Sequence, residues 1–308
     1  MQFNEKRLWL VLALVVGIGF LLLGFGGREV YRQAPPLPER VVTESGRVLT
    51  TRTEILDGQQ VWQGIGGQQL GSVWGHGSYQ APDWSADWLH REALALLDVW
   101  SRAEHGVAFD QLDVESRGSL EGRLRREMRA NRYDAHSGTL VVSDARAAAI
   151  EQVADHYRRL FGGDASLAGL RESYALQDDA VVERADLDHL TAFFFWTSWS
   201  CTTERPGELY TYTNNWPHEA LVGNAPTSSN MLWSMVSIFA LLAGIGALVW
   251  FVAARPESEE LFVPPVRDPL ERLQLTPSMR AVGKYIAVVI ALFVVQVLLG
   301  ALTAHYTV

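Results

Sequence analysis

The sequence has 308 residues, a formal net charge of -9 and 48% apolar residues, long enough for roughly two compact units with a sizeable core. An acidic balance with no long Lys/Arg run argues against nucleic acid as a partner, because phosphate binding needs concentrated positive charge. The lone Cys201 excludes an internal disulfide, an all-cysteine zinc or iron-sulfur site and CxxCH haem attachment; Lys6 and Lys284, the only lysines, leave no obvious place for Schiff-base or P-loop chemistry.

The apolar residues concentrate in three long stretches, the first two uncharged and the third carrying only Lys284 near its start, which makes this a membrane protein. Residues 1–7 form a short tail. Leu8 to Phe25 carries no charge and would reach about 27 Å as a helix, so residues 8–27 are expected to cross the bilayer once. A cleaved leader is the competing reading, but Gly26-Gly27-Arg28 offers no A-x-A cleavage pattern. Residues 28–230 form a large α+β outer domain. Ala34 to Pro38 is a stiff linker, and alternation from Arg40 to Thr53, interrupted at Ser45-Gly46, predicts strands. Asp57-Gly58 before Val61-Trp62 predicts a hairpin, giving a small antiparallel sheet. Gly64 to Gly77 reads as a packed loop.

Helices follow. Pro82-Asp83-Trp84 opens one running to about Ala103; Ser119 can cap an Arg-rich one reaching about Arg132. Thr139 to Val142 is a short strand. Ser143 can cap a helix whose apolar stripe is Ala147, Ile150, Val153, Ala154, Tyr157 and Phe161, stopped at Gly162-Gly163. The last helix of the domain, roughly Arg184 to Ser200, is strongly aromatic. A second span is expected at 231–254, a Pro-rich loop at 255–280 and a third span at 281–305. Lys6 and Arg7, with Arg255, Arg267, Arg272, Arg280 and Lys284, place the tail and that loop in the cytoplasm and the large domain outside.

None of the eight histidines forms HExxH, HxH or another close ligand pair. His305 stands apart because it follows a span, at a depth where an ionisable group is costly and often functional; an interfacial histidine is the alternative. The run Trp74 to Pro82 places glycines around Tyr79. Glycine permits close approach and exposes carbonyls, so Gly77 and Tyr79 could complete a hard-cation site with ligands from elsewhere, or form a tight turn with a packed tyrosine. Arg123, Arg125, Arg126, Arg129 and Arg132 read as a solvated helix face. Cys201, beside aromatics, reads as buried and inert.

Past the aromatic helix come Trp196 to Gly207, then Tyr210-Thr211-Tyr212-Thr213-Asn214-Asn215-Trp216-Pro217, then Leu221-Val222-Gly223-Asn224-Ala225-Pro226-Thr227. This junction resembles that of quinol-dependent nitric oxide reductase, and the order of anchor, outer domain, span, Pro-rich loop and span agrees across nearly all of the chain. The resemblance implies a mostly helical, haem-free cytochrome c-like domain on the periplasmic side of a bacterial inner membrane. The family reduces two NO to N2O and water with quinol electrons, using haem b and non-haem iron. Its metal ligands lie on later helices, so no catalytic and no haem-binding residue is expected here, and the chain alone is expected to bind no cofactor. Gln68 and Gln69 lie where the haem-c-bearing relative carries its attachment motif. Gly77 and Tyr79 match a calcium-binding segment, and His305 matches the quinol-pocket region. Expected partners are the remaining haem-bearing helices, quinol and the lipid bilayer. The alternative is a non-enzymatic, membrane-anchored partner-binding or assembly protein.

Overall fold

The computed structural model describes residues 5–254 and 277–306. The chain divides into two compact units, Met1–Met235 and Val236–Val308. The first opens with α1 (Glu5–Gln33), whose segment Trp9–Gln33 is long and apolar enough to cross a membrane. The helix ends just before Pro35, as the steric demand of proline on its predecessor requires.

Strands β1 (Arg40–Thr43) and β2 (Val48–Thr51) pair antiparallel around the Ser45-Gly46 turn, as alternation predicts. The expected hairpin at Asp57-Gly58 is not formed. Both residues lie inside α2 (Arg52–Gly64), because Thr51 and Glu54 make a reciprocal capping box that starts a helix here. Gly58 serves contact rather than a turn: a Cβ there would run into the carbonyl of His189 and the Cβ of Phe193. Its absence lets α2 lie close against the last helix of the domain.

The segment expected as a packed loop contains a 3-10 turn at Gly67–Gln69 and the two-residue strands β3 (Ser72–Val73) and β4 (His76–Gly77). Then α3 (Trp84–His105) starts on the Asp83 cap, and α4 (Val114–Arg129) starts on Asp113, not on Ser119. β5 (Tyr133–Asp134) and β6 (Thr139–Val142) complete a four-stranded sheet of order β2-β1-β6-β5. Its outer pairs are antiparallel, while its central β1–β6 pair is parallel, with Val41 opposite Leu140. Ser143 caps α5 (Asp144–Phe161) as predicted, and the whole expected stripe from Ala147 to Phe161 is buried. A short α6 (Ala168–Ser173) precedes α7 (Arg184–Thr202).

Helices α2, α3 and α5 all pack on α7. Trp84, entirely buried, is the centre of this core, with ring centroids 5.6 Å from Phe194, 5.3 Å from Phe161, 6.1 Å from Tyr157 and 6.0 Å from Tyr174. Rings of this kind bury about 150–250 Å² each, on the order of 4–6 kcal/mol apiece as an upper bound.

Helix α8 (Ser228–Ala253) contains the candidate span Met231–Phe251, and α9 (Pro277–Tyr306) contains Ala281–Leu298. Their described large apolar side chains are exposed. Residues 255–276 of the expected Pro-rich loop lie outside the described residues.

Candidate functional site

Three places bear on function: the glycine-rich loop before α3, the aromatic core behind it, and the irregular segment that leads from α7 to α8.

In the loop, Asp83 does more than cap α3. One carboxylate oxygen accepts from Ala86 N, while the other accepts from the Ser72 hydroxyl at 2.7 Å and from Gly75 N at 2.8 Å. Trp74 adds a second tie, with its backbone N donating to Ser85 Oγ and its indole N–H donating to the Thr197 carbonyl at 2.9 Å. The candidate cation residues sit on this braced loop. Gly77 has φ +142, and a Cβ there would collide with the Gly71 carbonyl, so only glycine fits the turn. Tyr79 is 91% exposed and its hydroxyl has no protein partner among the described residues. The tyrosine is therefore not packed against the described residues. Among the described residues no three His, Cys, Asp or Glu side chains come together as a metal site, so a cation held here needs further ligands from outside this loop. His305 belongs to α9, and its side chain lies outside the described residues.

Behind the loop the core is polar in two places. Glu92, fully buried, accepts from Trp88 Nε1 at 2.8 Å and pairs with Arg146 Nε at 2.7 Å. Asp87 accepts the Tyr157 hydroxyl at 2.6 Å and Arg91 Nε at 2.7 Å. Burial pushes the Tyr157 phenol well above its ordinary range, with the Asp87 charge acting in the same direction, so it stays a donor. Burial, then the neighbouring Arg91 charge, lowers the His156 imidazole. Cys201 is buried as expected, and burial raises its thiol far out of the reactive range.

The α7–α8 segment is organised by Arg129, a residue expected on a solvated face. Its guanidinium donates to Glu204 at 2.8 Å, Asn224 at 2.9 Å, Asn215 at 3.2 Å and the Leu209 carbonyl at 3.2 Å. Asn131 reaches the Glu204 carbonyl and the Tyr212 hydroxyl, and Asn224 Nδ2 donates to the Cys201 carbonyl at 2.8 Å. Arg125 bonds the carbonyls of Ala220 and Leu221. A Lys-free row of arginines at helical spacing was a signal for multidentate carbonyl and carboxylate binding, but its partners come from 75 to 96 residues downstream and no local pattern names them.

Residues 38–218 match the family model for the cytochrome c-like domain of the nitric oxide reductase protein NorB. The chain belongs to this family. It is a membrane protein related to nitric oxide reductase, and its family domain lies between two helices able to span a bilayer. No curated protein is similar enough to the chain to add a named relative. The cytochrome c-like fold raises haem as a resident group of the domain. The residues present do not fit a covalently attached haem: the one cysteine is buried in α7, and the space between α3, α5 and α7 is filled by the Trp84 ring cluster.

Proposed function

We propose that this chain is the amino-terminal part of a quinol-dependent nitric oxide reductase, which turns two NO into N2O and water. It supplies the outer domain and the first helices, while haem b and non-haem iron are held by helices outside these residues. The observation that carries the reading is the family match over residues 38–218 together with a domain interior closed to haem by Trp84, Tyr157, Phe161 and Phe194. A domain without a covalently attached haem supports electron entry from the membrane side, a route to which a membrane-soluble quinol is suited.

Within this reading, Gly77 and Tyr79 contribute to a calcium site completed by the haem-bearing helices. The exposed Tyr79 hydroxyl and the braced Gly77 turn support that role. His305 contributes to the quinol pocket. Positive charge at Lys6, Arg7 and the 255–280 segment supports a cytoplasmic amino terminus and a periplasmic domain on a bacterial inner membrane.

Mass and haem content of the native membrane-extracted protein test the proposal. A product much larger than 34.3 kDa, or a tight complex with a second chain, that contains b-type haem and consumes NO with quinol is the expected result. The 308-residue chain purified alone is expected to show no Soret band. A haem-free 34.3 kDa species with no associated chain would favour the partner-binding or assembly reading instead. In the holoenzyme, Tyr79→Phe is expected to lower calcium content by elemental analysis; unchanged calcium would remove Tyr79 from the site.

A further inference from the structure

Two rings in the core of the cytochrome c-like domain share an arrangement beyond what packing requires. Trp88 and Tyr157 are both entirely buried and stacked, with centroids 5.2 Å apart and planes at 20°. Each donates its polar hydrogen to a carboxylate: Trp88 Nε1 to Glu92 at 2.8 Å, and the Tyr157 hydroxyl to Asp87 at 2.6 Å. Tyr212 differs, because its hydroxyl accepts from Asn131.

A phenol that loses an electron becomes a strong acid. In an apolar core its oxidation therefore needs a base to take the proton, since a buried uncompensated cation is costly. That base must lie within hydrogen-bond reach, about 2.6–3.2 Å. Asp87 does, and at 18% exposure it can pass the proton on to water, away from the adjacent Arg91 charge. Glu92, at 0% exposure and paired with Arg146, has no such outlet, so the oxidised state comes to rest on Tyr157 and not on Trp88. A line of rings leads outward from there. Trp84 stands 6.1 Å from Tyr157 and 6.0 Å from Tyr174, centroid to centroid, and Tyr174 is half-buried.

We propose that Tyr157 is a redox-active tyrosine that gives one electron to nitrogen dioxide arriving at Tyr174, with Asp87 as the proton acceptor. The Tyr157 O–H bond breaks and its proton bonds to an Asp87 carboxylate oxygen. The electron passes through Trp84 and Tyr174 and reduces nitrogen dioxide to nitrite, leaving a neutral tyrosyl radical. Nitrogen dioxide forms where NO meets oxygen, so a protein related to nitric oxide reductase encounters it. Burial keeps a second nitrogen dioxide from reaching the radical, in contrast to Tyr79, which is 91% exposed. The inference does not depend on the quinol or calcium assignments.

Pulse radiolysis that generates nitrogen dioxide tests this on the full chain in lipid nanodiscs, with rapid freezing and electron paramagnetic resonance as the readout. The parent is expected to hold a tyrosyl signal that persists after those of exposed tyrosines have decayed. Tyr157→Phe keeps the ring and is expected to lose that signal with an unchanged near-UV circular dichroism spectrum. Asp87→Asn is expected to form the radical about a hundredfold more slowly, the contribution of a positioned base. Tyr174→Phe is expected to slow its formation several-fold. Should Asp87→Asn fail to fold, the parent decides, because its radical should show a coupling to an exchangeable hydrogen-bond proton that disappears in D2O. No persistent signal in the parent, a persistent signal in Tyr157→Phe, an Asp87→Asn or Tyr174→Phe radical formed as fast as the parent's, or a parent radical without an exchangeable proton would each overturn the proposal.

Discussion

The Glu92–Arg146 pair gives the sharpest test of how the cytochrome c-like domain is held together. Its side chains are 0% and 4% exposed, and they tie α3 to α5 beside the Trp88 ring. Replacing Arg146 with methionine keeps most of the volume but leaves the Glu92 carboxylate buried with only the Trp88 indole as donor. Breaking a buried pair from one side costs about 3–5 kcal/mol. For a domain of this size each kcal/mol moves the melting temperature by roughly 2–4 °C, so a drop on the order of 6–20 °C is expected. Glu92→Gln with Arg146→Met removes both charges, and the new amide oxygen can still accept from Trp88. That double variant is expected to be milder than Arg146→Met alone by about 2 kcal/mol or more. Near-UV circular dichroism of the detergent-solubilised chain follows the unfolding, because Trp84 and Trp88 are packed in the same core. A single variant within about 1 kcal/mol of the parent, or a double variant as damaged as the single, would refute the argument that an uncompensated charge sets the cost.

Two further outcomes follow from the same structure. His156 titrates below its ordinary value of 6.5 because of burial and Arg91, so the unfolded chain takes up the proton first as pH falls. Stability is therefore lost below 6.5, and the melting temperature of His156→Gln should fall less than that of the parent between about pH 7 and pH 5; parallel curves would show that the imidazole contributes nothing. Arg129→Ala removes four hydrogen bonds from the α7–α8 segment. Limited proteolysis should then cut between residues 203 and 224 several times faster than in the parent, with the rest of the domain resistant; an unchanged cleavage pattern would show that Asn131 and Arg125 hold the segment without it.

Much of the helical architecture was legible one segment at a time. The apolar spans, the caps at Asp83 and Ser143, and the α5 stripe each depend on residues within a few positions of one another, so their chemistry is written locally. Asp57-Gly58 was misleading for one local and one tertiary reason. The dipeptide has turn chemistry, but Thr51 and Glu54 start a helix before it, and the demand for a glycine comes from α7, far along the chain. Ser119 failed differently, since Asp113 offers an equivalent cap more than a turn earlier and the helix starts at the first one. The parallel β1–β6 pair could not be read from alternation, which gives the faces of a strand but not its neighbour.

The same division applies to the site. The linear sequence determined that the chain enters the membrane, lacks the cysteines for a covalent haem and places glycines around Tyr79. Only the folded arrangement decided that Tyr79 faces solvent, that Trp84 and its neighbours occupy the domain interior, and that Arg129 binds the exit segment instead of water. Span length and cap chemistry are properties of a few adjacent residues. Which ring fills a space, and which carbonyl meets an arginine, depend on residues brought together from distant parts of the chain, where one-dimensional pattern carries no distance information.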